Sequence, residues 1–199
     1  SSGKDGVCME IREGYKQTEV GIIPEEWDVR TLGDSLEEKP KYGINAPAVP
    51  YDSRLPAYIR ITDISEDGRF IKENRASVIC SDYEKYQLQE NDIVFARTGA
   101  STGKSYLYNI LDGKLVYAGF LIRTRINKRI AVPRYIKACV ETTRYSNWVI
   151  MTSTRSGQPG INGNEYASFK IPIPPLPEQQ AIATALSDID GLINSLQKL

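Results

Sequence analysis

The sequence of 199 residues predicts an α+β fold, in which a compact, β-rich mixed domain is followed by a long C-terminal helix of the coiled-coil type. Two observations support this prediction. Short runs that alternate apolar and polar residues, separated by glycine and proline, dominate residues 15–174 and are typical of strands. Residues 175–199 instead repeat apolar residues at helical spacing. Residues 1–14 are interpreted as a cloning scar and an N-terminal tail.

Alternation predicts three strands, in the segments AYIRITDI, NDIVFART and GFLIRTRI. In the third segment, Phe120, Ile122 and Ile126 are expected to face the core. Arg123 and Arg125 would then share the opposite face, because side chains two residues apart on a strand point the same way. There they could lie against successive phosphates, or they could support the sheet as solvent-exposed side chains.

Proline and glycine mark two loops and the start of one helix. Residues 39–56 and 152–166 are rich in these residues and predict loops. The segment VPRYIKACVETTRYSNWVI predicts a single helix, with Pro133 in its first turn and Cys139 in the core.

The C-terminal segment PEQQAIATALSDIDGLINSLQKL gives the clearest helix signal, with Pro177 in its first turn. Its apolar seam repeats at intervals of four and three residues and consists of Ile182, Leu186, Ile189, Ile193 and Leu196. This is the spacing of a heptad repeat, and it extends for about two heptads. The seam could dock on the chain's own domain, but the stiff proline-rich connection before it favours projection toward a partner helix.

The segment RTGASTGKS, residues 97–105, has the glycines and the Gly-Lys-Ser ending of a phosphate-binding loop. A P-loop reads G-x-x-x-x-G-K-[ST] between a strand and a helix, whereas here only three residues separate Gly99 from Gly103. The residues that follow are rich in Tyr, Leu and Val and predict strands joined by a turn. Nucleotide hydrolysis is therefore not expected. The small hydroxyl side chains between Arg97 and Lys104 still suit contacts with phosphates of another kind.

Composition excludes several kinds of catalysis. The chain has no histidine, which removes Ser-His-Asp and Cys-His nucleophiles and most zinc sites. Its three cysteines are widely spaced, which fits a reducing compartment and predicts a cytoplasmic protein. No apolar run approaches the roughly 20 residues needed to span a bilayer. Carboxylates are plentiful but scattered, so no catalytic residue, metal site or cofactor is expected.

Charge is distributed unevenly, although the chain contains 25 basic and 25 acidic residues. Residues 95–160 contain eleven basic residues against two acidic ones, a net charge of +9, and the remainder contains fourteen against twenty-three, a net charge of −9. Such asymmetry predicts a basic surface that meets phosphates. Accidental clustering over several faces of the folded chain is the alternative.

Four segments together resemble one half of a specificity subunit of type I restriction-modification systems. In chain order they are GYKQTEVGIIPEEWDVRTLGD, YGINAPAVPYDSRLPAYIRITDISEDGRF, NDIVFARTGASTGKS and RSGQPGIN followed by IPIPPLPEQQAIATAL. The resemblance extends from Gly14 to Leu199. It implies a target recognition domain, residues 15–174, that reads one half of a split site in double-stranded DNA. It also implies a conserved helix, residues 175–199, that sets the spacing between the halves.

In this family the helix also docks methyltransferase subunits and, through them, the restriction subunits. A full subunit has two recognition domains and two helices, whereas this chain has one of each. The resemblance therefore implies a half-subunit or a fragment. A half-subunit is expected to form a homodimer through its helix, with a palindromic site interrupted by a spacer.

The candidate DNA-binding residues fall into three groups. Hydroxyl and ammonium groups suit phosphates, whereas Arg, Asn and Gln read base edges. The residues assigned to phosphates are Thr98, Ser101, Thr102 and Lys104. The candidates for base reading are Tyr42, Asn45, Arg97, Arg155 and Gln158. The remaining candidates are Arg60, Arg123, Arg125 and Ser156. Each could instead stabilise its own loop by a hydrogen bond.

Two other functions stay open at this level. A small metal-dependent nuclease would need clustered carboxylates with a lysine, which the segment SDYEKYQ matches poorly. A protein-binding adaptor would use the basic segment against acidic partners. The chain also lacks a glycine-rich motif for S-adenosylmethionine and an Asn-Pro-Pro-aromatic motif. A non-catalytic DNA-recognition role is therefore favoured.

Overall fold

The computed structural model describes residues 11–154 and 160–196, which form an α+β structure with mixed sheets, as predicted. Its α-helices are α1 (Pro133–Cys139), α2 (Thr143–Ser153), α3 (Gly163–Ser168) and α4 (Leu176–Leu196). Its strands are β1 (Tyr15–Thr18), β2 (Gly21–Pro24), β3 (Asp28–Thr31), β4 (Lys41–Tyr42), β5 (Val49–Pro50), β6 (Ala57–Ile59), β7 (Ala76–Ser77), β8 (Asp92–Ala96), β9 (Ser105–Leu107), β10 (Leu115–Tyr117), β11 (Leu121–Arg125) and β12 (Lys170–Ile173).

A four-stranded antiparallel sheet, in the order β4-β11-β8-β9, is covered by apolar side chains on both faces. Ile93 and Phe95 of β8 belong to one core cluster, whereas Val94 of β8 and Leu121 of β11 belong to another. Because both faces are covered, the strand cannot alternate between apolar and exposed positions. All five residues of β8 are accordingly buried.

The alternation predicted for GFLIRTRI is wrong for the same reason. Strand β11 lies between β4 and β8, and its residues Leu121, Ile122 and Arg123 are all buried. Phe120 is not part of the strand and does not face the core. It lies in the turn before β11 and exposes 59% of its surface. Ile122 and Ile126 are core residues, as predicted.

A second four-stranded sheet, in the order β10-β6-β7-β5, has one parallel pair, β10 with β6. The strand predicted in AYIRITDI is shorter than expected, since β6 ends at Ile59 and a turn of 3₁₀ helix follows at Ile61–Asp63. The turn forms because the Asp63 carboxylate accepts a hydrogen bond from the backbone N–H of Arg60 at 2.9 Å. The loop predicted at residues 39–56 contains only two-residue strands, β4 and β5.

The single helix predicted after residue 131 is divided into α1 and α2. Helix α1 begins at Pro133, as predicted, and Cys139 at its end is buried in the core. Thr142 then starts a new helix, because its hydroxyl caps the backbone N–H of Tyr145 at 3.2 Å. An N-cap residue adopts extended rather than helical backbone angles, so the chain changes direction here.

Helix α4 is fixed to the domain at its start. Strand β12, just before it, pairs with β3 in antiparallel register. The buried side chain of Gln179 accepts a hydrogen bond from the backbone N–H of Val132 and donates one to the carbonyl of Pro174, both at 2.9 Å. Trp27 donates its indole N–H to the Glu178 carboxylate at 3.0 Å. These bonds set the direction in which α4 leaves the domain.

The apolar seam predicted on α4 has two different environments. Ile182 packs against the domain core and Leu186 is half-buried, so the first part of the seam docks on its own domain. Ile189, Ile193 and Leu196 expose 51%, 45% and 69% of their surfaces. A long coiled coil is thus not what the structure describes, and the last part of the seam is an exposed apolar surface. None of the described helices is long and apolar enough to cross a membrane.

Candidate nucleic-acid interface

The loop at residues 97–105 connects β8 to β9 and is closed by its own backbone hydrogen bonds. The amides of Thr102, Gly103 and Lys104 donate to the carbonyls of Gly99, Ala96 and Ser101 at 3.1, 3.0 and 2.9 Å. These amides are therefore not free to surround a phosphate, and a strand rather than a helix follows. The structure agrees with the sequence prediction that this is not a nucleotide-binding P-loop.

Two buried tyrosines hold this loop against the core. Tyr145 donates its hydroxyl to the carbonyl of Gly103 at 2.9 Å, and Tyr166 donates to the carbonyl of Ala96 at 2.7 Å. Burial raises the pKa of both phenols, so they stay protonated donors. Gly103 has φ +92°, and a Cβ there would lie 2.8 Å from a methyl group of Val149. Only glycine fits both constraints, and the loop is therefore a rigid edge.

Four predicted residues come together at one cleft of about 550 Å³ beside this loop. They are Tyr42, Asn45, Arg60 and Arg97. Phe120, which the sequence placed in the core, lies at the same cleft. Residues from β4 and the loop after it, from the segments just after β6 and β8, and from the turn before β11 thus converge, although they are far apart in the sequence.

Arg97 is the positioned cation of the cleft. Its guanidinium carbon lies 4.9 Å from the centre of the Tyr42 ring, a cation–π contact. The Tyr42 hydroxyl accepts a hydrogen bond from the backbone N–H of Gly163 at 3.1 Å, which fixes the ring. Among the described residues, no carboxylate pairs with Arg97 and its Nε lacks a hydrogen-bond partner. The guanidinium is therefore held in place by the ring, with a buried Nε and with no described carboxylate as its partner.

Arg60 lines the same cleft but already has a partner. Its Nε and Nη2 donate to the two carboxylate oxygens of Asp63, each at 2.8 Å, and this bidentate bond raises the pKa of Arg60. Arg75 lines a smaller neighbouring cleft with Arg60 and stacks over Tyr51 at 5.9 Å. The sequence did not identify Arg75, because nothing in the segment around it distinguishes a stacked arginine from a solvated one.

The predicted phosphate contacts of the loop do not all face the same side. Thr98 forms a backbone bridge with Gly160, and Ser101 ends a turn of 3₁₀ helix. Thr102 and Lys104 line a different cleft of about 780 Å³. There Lys104 pairs with Glu66 at 2.6 Å, a partner that is 88% exposed.

Arg123 and Arg125 are corrected by the structure, because both are used inside the fold. The Arg123 side chain is only 4% exposed and pairs with Glu38, and Arg125 donates to the fully buried Asp92 at 2.8 Å. Lys41 and Arg123 together hold the pKa of Glu38 below its usual value despite its desolvation. A central strand has no free face, so arginines on it need internal carboxylates. The predicted phosphate contacts of these two residues are therefore wrong.

The remaining candidates, Arg155, Ser156 and Gln158, lie outside the described residues. After the undescribed residues the chain is bonded to the loop, since Ile161 donates its N–H to the carbonyl of Arg97 at 2.9 Å.

The basic segment does not form one uniform face. Six of its ten described basic residues pair with carboxylates, and these are Lys104, Arg123, Arg125, Lys128, Arg134 and Lys137. Several of the partners come from other parts of the sequence, so the net charge of the segment is largely neutralised in place. The total charge of the segment is therefore a poor guide to the candidate site, whereas Arg97 has no carboxylate partner among the described residues. Within residues 11–154 and 160–196, no group of three potential ligands could hold a metal ion.

Two solved structures share this fold. The crystal structure of the HsdS subunit from Thermoanaerobacter tengcongensis aligns with a TM-score of 0.59 at 18% identity, over 88% of this chain and 45% of that one. A chain from work on complex assembly and conformational transition of the type I R-M system aligns with a TM-score of 0.62 at 16% identity, again over 88% and 45%. At these identities the likeness concerns the fold alone.

Curated proteins show the same relationship in sequence. The chain is 30% identical over 197 residues to the putative type I restriction enzyme MjaX specificity subunit of Methanocaldococcus jannaschii, which covers 94% of this chain and 44% of the relative. It is 28% identical over 175 residues to the EcoKI specificity subunit of Escherichia coli K12, which covers 84% of this chain and 35% of the relative. The chain thus spans less than half the length of these relatives.

A family model settles the assignment over most of the chain. The model described as type I restriction modification DNA specificity domain matches residues 24–199. Its match includes every element from β3 to α4, and so both the cleft and the C-terminal helix. The chain therefore belongs to the family of type I restriction-modification DNA specificity domains.

Proposed function

We propose that the chain reads one half of a bipartite DNA site, as a non-catalytic specificity component of a type I restriction-modification complex. The cleft beside Arg97 carries this proposal, because it combines a guanidinium that no described carboxylate pairs with, an amide side chain and aromatic surface. Relatives named as specificity subunits support the same function.

Arg97 and Asn45 are the base readers in this proposal. A guanidinium reads guanine through its O6 and N7 acceptors, and an amide reads adenine through N6 and N7. Both groups act best when their position is fixed before DNA arrives, because less side-chain entropy is then lost on binding. The stacking of Arg97 on Tyr42 supplies this order for the guanidinium.

Lys104 is the phosphate contact in this proposal. Its present partner Glu66 is highly exposed, and such surface ion pairs contribute only about 0–1 kcal/mol. The ammonium group can therefore exchange this carboxylate for a phosphate at little cost. Thr98 and Ser101 lie on the same loop and are the accompanying hydroxyl donors.

The proposal extends to domain organisation and partners. Residues 15–174 would be the target recognition domain, and residues 175–199 the helix that sets the spacing and docks methyltransferase subunits, with the restriction subunits bound through them. The exposed side chains of Ile189, Ile193 and Leu196 offer an apolar surface for a second copy or another helix. A two-fold dimer would present two copies of the cleft, so its site would be a palindrome with a spacer.

Selection from duplexes of randomised sequence, with the bound duplexes sequenced, tests the proposal. The wild-type chain should enrich one pattern at low salt. Arg97→Ala should lose the preference at one base pair, at a cost of about 1–3 kcal/mol. Arg129→Ala is the matched control, since it removes the same charge from an exposed position outside the cleft and should keep the pattern. The proposed function is refuted if the wild-type chain enriches no pattern. If Arg97→Ala still enriches the full wild-type pattern, Arg97 is not a base reader.

A further inference from the structure

Phe120 is an exposed aromatic residue in an otherwise buried part of the chain. It exposes 59% of its surface, whereas its neighbours Ala118 and Leu121 are buried. Exposure alone does not indicate a function, because single apolar side chains are common on protein surfaces. Phe120 differs from such isolated side chains in two respects, which are the hydrogen bonds that hold its backbone and the cleft that it lines.

The backbone around Phe120 is held on both sides. Gly119 donates its N–H to the carbonyl of Ile44 at 2.7 Å, and the carbonyl of Phe120 accepts from the N–H of Arg97 at 3.0 Å. A Cβ on Gly119 would lie 3.2 Å from the Ile44 carbonyl oxygen, so this close approach favours glycine. The ring of Phe120 is therefore presented from a fixed turn, which limits the entropy lost when a ligand covers it.

The cleft beside Phe120 joins apolar surface to hydrogen-bonding groups. Ala46, Pro47 and Ala118 contribute apolar lining, whereas Asn45 and Arg97 contribute donors. In the major groove a thymine presents the complementary combination, since its apolar 5-methyl group lies beside the O4 acceptor. No described carboxylate neutralises the charge of Arg97, which favours a polyanion as the occupant.

We propose that Phe120 contacts the 5-methyl group of one thymine in the DNA half-site and so determines specificity at that base pair. This inference rests on the proposed function. It differs from insertion of the ring between base pairs, because a wedge would contribute to binding of duplexes in general and would not depend on a methyl group.

The test uses the full chain and the pattern that it selects from randomised duplexes. Each thymine of the pattern is replaced in turn by uracil, which removes only the methyl group. The wild-type chain should lose about fourfold in affinity at one position, the factor expected for roughly one CH₂-sized group left in water. Phe120→Ala should bind both duplexes alike, whereas Phe120→Leu, which stays apolar, should keep part of the preference. Leu111→Ala is the matched control, since Leu111 is exposed and lies outside the cleft.

The outcomes separate this inference from the function on which it rests. A wild-type chain that selects no pattern overturns both. A selected pattern in which no thymine is sensitive to uracil leaves DNA recognition standing and overturns the role of Phe120. In the remaining outcome, the Phe120→Ala variant binds all duplexes more weakly by the same factor and keeps the wild-type sensitivity to uracil. That result assigns the ring to a wedge and also overturns the inference.

Discussion

Replacing Gln179 by alanine should lower the free energy of unfolding by about 3 kcal/mol. The side chain is 0% exposed, with bonds of 2.9 Å to Val132 and Pro174 and a longer bond of 3.3 Å to the carbonyl of Ile130. Alanine would leave one backbone donor and one carbonyl without their well-made partners. A buried polar group that loses its hydrogen-bond partner costs about 1–3 kcal/mol, so two such groups account for the loss of about 3 kcal/mol.

Gln180 offers a matched control one residue further along the same helix. Its side chain is exposed and has one long bond, of 3.5 Å, to Thr184. Gln180→Ala should therefore stay within about 0.5 kcal/mol of the wild type. Equilibrium unfolding in urea measures both variants. Equal stability of the two would refute the reasoning, because it would mean that the bonds of Gln179 do not hold α4 to the domain.

Two further predictions concern the loop and its supports. Lys104→Ala should weaken binding to all duplexes alike and flatten the slope of log affinity against log salt by about 0.9, measured by titration at several salt concentrations; an unchanged slope contradicts the phosphate contact. Burial raises the pKa of Tyr145 and Tyr166, so stability should be fully present below pH about 10, the pKa of a tyrosine in the unfolded chain, and should fall as the pH rises beyond it. In a pH titration followed by absorbance, the phenolate signal of these tyrosines should appear together with unfolding. If they ionise near pH about 10 while the chain is still folded, the prediction is wrong.

The fold could be predicted where local signals were strong. Pro133 and Thr142 mark helix starts by their chemistry, but only Pro133 was identified, since a threonine within an apolar helical pattern does not reveal that it caps a second helix. Central strands were harder. Strand β11 contains two arginines and a threonine, and its burial depends on β4, β8 and the clusters on both faces, none of which the segment itself reveals.

The site could be predicted only in part, because residue type can be read from the sequence but contacts between distant segments cannot. Asn45 and Arg97 were identified from residue type in loops, and the structure places them at one cleft. Arg123 was misjudged because its partner Glu38 is distant in sequence, and only the fold brings the two together. Phe120 was missed because alternation assigned it to the core. The preceding Ala-Gly pair was the available signal, since glycine in a strand pattern often marks a turn or a close backbone approach.

The division of the α4 seam limits what the exposed part can do alone. From Ile189 to Leu196 the helix advances by roughly 10 Å at a rise of about 1.5 Å per residue, or two turns. Two copies packed through this stretch would cover six side chains, three from each copy. Complete burial of one such side chain is worth roughly 1.5–3 kcal/mol, and about half of this remains to be gained because each is already about half-buried. The six together would contribute about 7 kcal/mol. Association costs about 4–15 kcal/mol in lost freedom. The exposed seam by itself therefore supports only weak pairing, and a stable assembly needs further contacts beyond these three side chains.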